Sequence, residues 1–211
     1  MLTYGNPNRA LLPYIKKETY LESLLTELYS YPYPNNNSQE VVDEINQLIS
    51  LTNSISSDPE MVQRYKIYDE DFVSYLENVL SNTGIPRQEI KDLIDSMDED
   101  IKPIVVKLKY YYQRIRPNQL AHMLQMSLYP YEAKSADTPS YPSGHSLTSK
   151  VYCAVLGNKY PKYYQQLMAL AKDCSDSRMY MGLHYASDAV FGNYVADCIL
   201  EHPEFKKKYK L

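Results

Sequence analysis

Apolar positions along the chain recur at spacings of three and four residues, not at two. In "KETYLESLLTELYS", Leu21, Leu24, Leu25 and Leu28 fall on one helical face. Ser38 is placed to cap "QEVVDEINQLISL", and Asp58 with Pro59 reads as a cap followed by proline at the first helical position. "DEDFVSYLENVLSNTG" is amphipathic and predicts a left-handed stop at Gly84. "PRQEIKDLIDSM" and "IKPIVVKLKYYYQRI" read as two further helices, the second ending against Pro117.

A short helix over 118–127 and the loop "LYPYEAKSADTPSYPSG" come next, then a helix from Ser143 to Asn158. "PKYYQQLMALAKDCSDSRMYM" and "HYASDAVFGNYVADCIL" supply the last two long helices. Alternating strands and fixed-period repeats are both missing. The pattern predicts an all-α fold, a single-domain helical bundle of roughly eight to ten helices over residues 1–211.

Composition narrows the function classes. Apolar residues make up 44% of the 211, enough for one substantial core. Twenty-two Lys and Arg against 26 Asp and Glu give a formal charge of −4, which argues against nucleic acid as the main partner. Cys153, Cys174 and Cys198 are sparse and odd in number, as expected of reduced thiols. The excess of tyrosine, 23 against three Phe and no Trp, reads as a composition bias. No secretory signal is visible, and no apolar run approaches the ~20 residues that cross a bilayer. A soluble, cytoplasmic protein without a transmembrane segment is expected, with "KKKYKL" as a solvated basic tail.

Three stretches carry chemistry. "KYYYQRIRP" sets Lys109 and Arg116 seven residues apart, two turns of one helix face, with Arg114 elsewhere on the helix. "PSYPSGHSLTS" opens a helix with Ser143 and Gly144, where backbone N–H groups favour an anion, and puts His145 beside it. In "SRMYMGLHYASD", Asp188 follows His184 by four residues and can hold one ring nitrogen, leaving the other as a lone pair. Three cations (Lys109, Arg116, Arg178), two histidines, a carboxylate and a helix start are the inventory that phosphoryl transfer needs. The chain offers no further cluster at metal-ligand spacing, so neither metal nor cofactor is expected. His122 reads as a core or groove histidine and His202 as exposed. Tyr129, Tyr131 and Tyr141 either wall the pocket or pack.

The three stretches resemble, position by position, the signature of the PAP2 (type 2 phosphatidic acid phosphatase) superfamily. K-x6-R-P is Lys109 to Pro117, P-S-G-H is Pro142 to His145, and S-R-x5-H-x3-D is Ser177 to Asp188. The superfamily includes soluble bacterial acid phosphatases, membrane lipid phosphatases and vanadium haloperoxidases. The resemblance implies an acid phosphatase/vanadium haloperoxidase-like fold. It further implies His184 as nucleophile, Asp188 as its orienter, and His145 as acid and then base. Lys109, Arg116, Ser143, Gly144 and Arg178 would hold the phosphate.

The expected activity is metal-independent hydrolysis of phosphomonoesters on a phosphorylated small molecule, inhibited by vanadate and bell-shaped on the acid side of neutrality. The alternatives are a haloperoxidase, in which vanadate would be the cofactor, and a phosphatase for lipid head groups or pyrophosphates. Residues 1–108 carry no signature residue; they would cover the pocket rim or form a homo-oligomer interface.

Overall fold

The structure, a computed structural model, describes residues 3–211. Among these it contains ten α-helical segments, two short 3-10 turns and no strand. The first helix, α1, is Leu12–Lys16. The stretch predicted as one helix around Leu21 is instead a 3-10 turn, Tyr20–Leu24, followed by the single-turn α2, Leu25–Leu28. Thr19 caps that turn by accepting from the Leu21 N–H.

Ser38 and Asp58 cap as the sequence predicts, starting α3 (Gln39–Ser54) and α4 (Pro59–Ser81). Within α4 the backbone at Asp71 leaves helical geometry, and the Asp71 carboxylate accepts from the Ser74 N–H. "DEDFVSYLENVLSNTG" is therefore a second helical half welded to the first. Gly84 is left-handed, as predicted, at φ +91°.

The two helices expected next are one. α5 runs Arg87–Tyr112 straight through Pro103 and ends because Gln113 turns left-handed at φ 49°. Lys109 and Arg116 thus do not share a helix face: Arg116 lies in the linker and caps α6, Pro117–Met123. The signature region continues with α7 (Gly144–Lys159), α8 (Tyr164–Tyr180) and α9 (Ala186–Glu201).

The C-terminal basic segment is not a free solvated tail. It forms α10, Pro203–Tyr209, with Phe205 buried and both Lys208 Nζ and Tyr209 Oη 2.7 Å from Asp100 Oδ2. His122 is exposed, not in a core or groove, while His202 is half-buried beside Ser23.

One core draws side chains from Leu21 to Phe205, so the region without signature residues and the region with them share it. A smaller cluster packs Val41, Ile45 and Leu48 of α3 against Ile115, Leu120 and Tyr185. Glycine permits the tightest approach: a Cβ on Gly192 would stand 2.6 Å from the Ser143 carbonyl oxygen. α9 therefore lies directly against the start of α7. Much of the tyrosine excess is structural, as where Tyr65 and Tyr68 both donate to Asp173 and Tyr152 donates to Asp98. Cys153, Cys174 and Cys198 are free thiols. Among the described residues no helix is long and apolar enough to cross a membrane.

Candidate active site

The signature residues gather where α5, the α5–α6 linker, α7 and the start of α9 meet. A cleft of about 510 Å³ is walled by Lys109, Arg116, Gly144, His145 and His184, with Ser135 and Thr138 from the loop before α7. Ser143, Arg178 and Asp188 sit behind this wall, each fully buried. Of the loop tyrosines, Tyr141 is buried, Tyr131 half-buried and Tyr129 exposed.

His184 is the most tightly specified member. Its Nδ1 is 3.0 Å from Asp188 Oδ2, and its Nε2 is 3.0 Å from Arg116 Nη1. Asp188 Oδ2 also accepts from the Ser140 hydroxyl and from the Tyr185 N–H (3.0 Å). A carboxylate can only accept, so the pattern assigns the His184 proton to Nδ1 and the lone pair to Nε2. Burial, then the nearby Arg116 and Lys109, push the His184 pKa well below its ordinary value despite Asp188. This environment favours the neutral imidazole.

Asp188 has no exposed surface. Burial alone would raise its pKa, but Arg114 and His184 outweigh burial and hold the carboxyl ionised, well below the usual range. Arg114 Nη1 lies 2.7 Å from Asp188 Oδ1, and its Nη2 lies 3.2 Å from Glu44 on α3.

The cations are fixed by backbone carbonyls. Lys109 Nζ donates to Pro139 O at 2.6 Å. Arg116 donates from Nε to Thr138 O at 2.8 Å and from Nη1 to Leu183 O at 3.0 Å. Burial and then Arg116 lower the pKa of Lys109, and burial and then Arg178 bring that of Arg116 down to about 10. His145 keeps part of its surface open, yet its confined surroundings and then Arg178 push its pKa down to about 3, with Lys109 and Arg116 adding to the effect. Lys109 and Arg116 have no carboxylate partner among the described residues, and such charge on the cleft wall favours an anion.

Two signature residues point elsewhere. The Ser143 hydroxyl accepts from Ser146 N (3.3 Å) and Ser146 Oγ (2.9 Å), so it works as the α7 cap. Arg178 Nη2 is held by Asp69 Oδ1 at 2.8 Å and Ser135 Oγ at 3.0 Å. Gly144 has helical geometry, and a Cβ there would meet only Val105 and Lys109 at 3.7 and 3.8 Å. Packing within the protein therefore does not demand glycine at this position.

Sequence reasoning missed Arg114, Glu44, Asp69 and Ser140. Arg114 and Ser140 each stand two residues from a motif position, Arg116 and Pro142, whereas Glu44 and Asp69 are near none.

The family model of the PAP2 superfamily matches residues 101–200. That stretch, just under half of the chain, holds all three signature motifs. Among curated relatives, the lipid A 1-phosphatase of Rhizobium johnstonii is 33% identical over 85 residues, and that of Rhizobium etli is 32% identical over 85. These stretches cover 40% of this chain and 34% and 36% of the relatives, so the chain spans about a third of their length. A transmembrane PAP2 type phosphatidylglycerolphosphate phosphatase from Bacillus subtilis superposes with a TM-score of 0.52 at 15% identity. That superposition covers 90% of this chain and 92% of that one. The all-helical PAP2 fold thus extends across residues that the family model leaves out.

Proposed function

We propose that this chain hydrolyses phosphomonoesters without a metal, through a phosphohistidine on His184. One observation carries the reading: His184 Nδ1 is committed to Asp188 while Nε2 stands in the cleft beside Arg116. The Nε2 lone pair attacks phosphorus as the bond to the leaving oxygen breaks, and His145 gives that oxygen its proton. Water then attacks phosphorus, returns a proton to His145, and the P–N bond electrons go back to Nε2. Lys109 and Arg116 neutralise the phosphoryl oxygens, and the N–H groups at the start of α7 add a further donor set.

Confinement, then Arg178 and the other cations, keep His145 neutral, and this sets the pH dependence. A phosphate dianion offsets those charges and restores the affinity of His145 for a proton, or a monoanion brings the proton with it. Phosphate monoesters lose their second proton near about pH 6, so turnover is expected to peak on the acid side of neutrality.

A second reading places the phosphate on a lipid head group. It is favoured by the matched segments of the two lipid A 1-phosphatases. Assaying an aryl phosphate and a phosphorylated glycolipid in micelles, with chelator and with vanadate, tests both. Chelator-resistant turnover of the aryl phosphate that disappears in His184→Ala is expected. Activity on the glycolipid alone would move the reading to lipid substrates. Bromide oxidation with peroxide and vanadate, without hydrolysis, would replace phosphatase by haloperoxidase.

A further inference from the structure

Arg114 belongs to no signature position, yet it is among the most deeply buried charged side chains in the protein, 1% exposed. Its guanidinium lies 3.9 Å from the centre of the Tyr185 ring, with Tyr33 and Tyr141 at 5.6 and 5.7 Å. Inside this aromatic enclosure Nη1 donates to Asp188 Oδ1 and to Ser187 Oγ, both at 2.7 Å. Apart from His184, Arg114 is the only cation in contact with Asp188 among the described residues.

A buried carboxylate demands a positive neighbour. Two groups touch Asp188 and could meet that demand: the guanidinium of Arg114, and His184 if it took a second proton. The two solutions exclude each other chemically, because a protonated His184 has no lone pair for phosphorus. We propose that Arg114, by supplying the countercharge to Asp188, keeps His184 a neutral nucleophile. Arg114 is then a positioning residue that acts through Asp188. The inference deepens the phosphohistidine reading and rests on it for its catalytic meaning.

The other charged groups around His184 do not supply this countercharge. Arg116 from the linker and Lys109 from α5 stand on the Nε2 side and lower the proton affinity of the ring directly. His145 from α7 lines the same cleft. Arg178 from α8 is paired with Asp69 of α4. Asp137, in the loop before α7, acts on Lys109 and Arg116. Glu44 from α3 shares Arg114 with Asp188 and accepts from the Ser187 N–H at 2.6 Å, so it draws the guanidinium partly away.

The test reads the imidazole and not turnover, so it stands apart from the reading of the reaction. The chain has only four histidines, and nitrogen-detected NMR with His184→Gln for assignment isolates the signal. In the full-length protein His184 is expected to stay neutral, with the proton on Nδ1, from about pH 5 to about pH 8. In Arg114→Gln its pKa should climb by at least about two units, into that window, while Arg114→Lys keeps it neutral.

The double variant Arg114→Gln/Glu44→Gln removes the carboxylate that the single change would strand. It should show the same titration if the single variant fails to fold. A His184 that titrates near its ordinary pKa in the unaltered protein would overturn the proposal. So would one that stays neutral in a folded Arg114→Gln or double variant. If the proposal holds but aryl phosphate is not hydrolysed, the reading of the reaction fails and the electrostatic arrangement stands.

Discussion

Asp69 on α4 and Arg178 on α8 pair at 2.8 Å, with side chains 1% and 0% exposed, joining the part of the chain without signature residues to the part that carries them. The same carboxylate accepts from the Lys134 N–H and the Ser135 hydroxyl, and so ties down the loop that edges the cleft. Removing one partner of such a pair leaves the other charged and buried. Asp69→Ala is expected to cost about 3–5 kcal/mol in chemical denaturation, and to weaken vanadate inhibition as the loop loosens. A cost under about 1 kcal/mol would mean that Arg178 finds another partner.

The same pair sets an acid limit. Burial alone would raise the Asp69 pKa, but Arg178 and the hydrogen bonds hold it below its ordinary value. The unfolded chain therefore binds the extra proton first, and stability falls as pH drops. The contribution of Asp69 is complete above the unfolded pKa, about 3.9, and is lost as pH falls through the lower folded value. Thermal scans should show Tm declining below about pH 4, with a shallower decline in Asp69→Asn.

His145→Asn should separate the two half-reactions. An aryl oxide leaves without help, so His184 still becomes phosphorylated; activation of water is lost. Steady-state kcat should fall about 10²–10⁴-fold, with an acid-labile phosphoenzyme accumulating after a burst of aryl product. Equal loss of burst and steady state would assign His145 to binding.

Gly144 and Gly192 should respond differently to alanine. At Gly144 the new methyl meets only ordinary contacts, so Gly144→Ala should fold with an unchanged or slightly raised Tm. Any rise in KM then reports crowding of the substrate itself.

At Gly192 the methyl would collide with the Ser143 carbonyl, which α7 cannot give up without moving His145. Gly192→Ala is expected to cost about 1–3 kcal/mol and to reduce kcat as well. A variant with normal stability and kcat would show that α9 and α7 can separate cheaply.

The sequence made some parts of the site legible and hid others, for physical reasons. Asp188 and His184 are a helical turn apart, so their hydrogen bond follows from local spacing. Ser38 and Asp58 cap helices through contacts only three residues long. Arg114 finds Glu44 70 residues away, and Arg178 finds Asp69 109 residues away, through a fold that no local pattern encodes. The end of α5 is hidden from the sequence because Gln113, not glycine, takes the left-handed turn. In the basic tail the charge pattern suggests solvation, whereas the decisive group is Phe205, an apolar anchor amid lysines.

The matched stretch, residues 101–200, contains the buried Arg114 and Arg178 but neither Glu44 nor Asp69, the acids from α3 and α4 that pair with them. It is therefore not a transplantable module. A chimera that kept it and exchanged the preceding helices would strand the Arg178 guanidinium and leave Arg114 to Asp188 alone, unless the new helices brought acids to the same two places. Such acids, more than overall likeness, would decide which leading segments can be swapped onto this signature-bearing stretch.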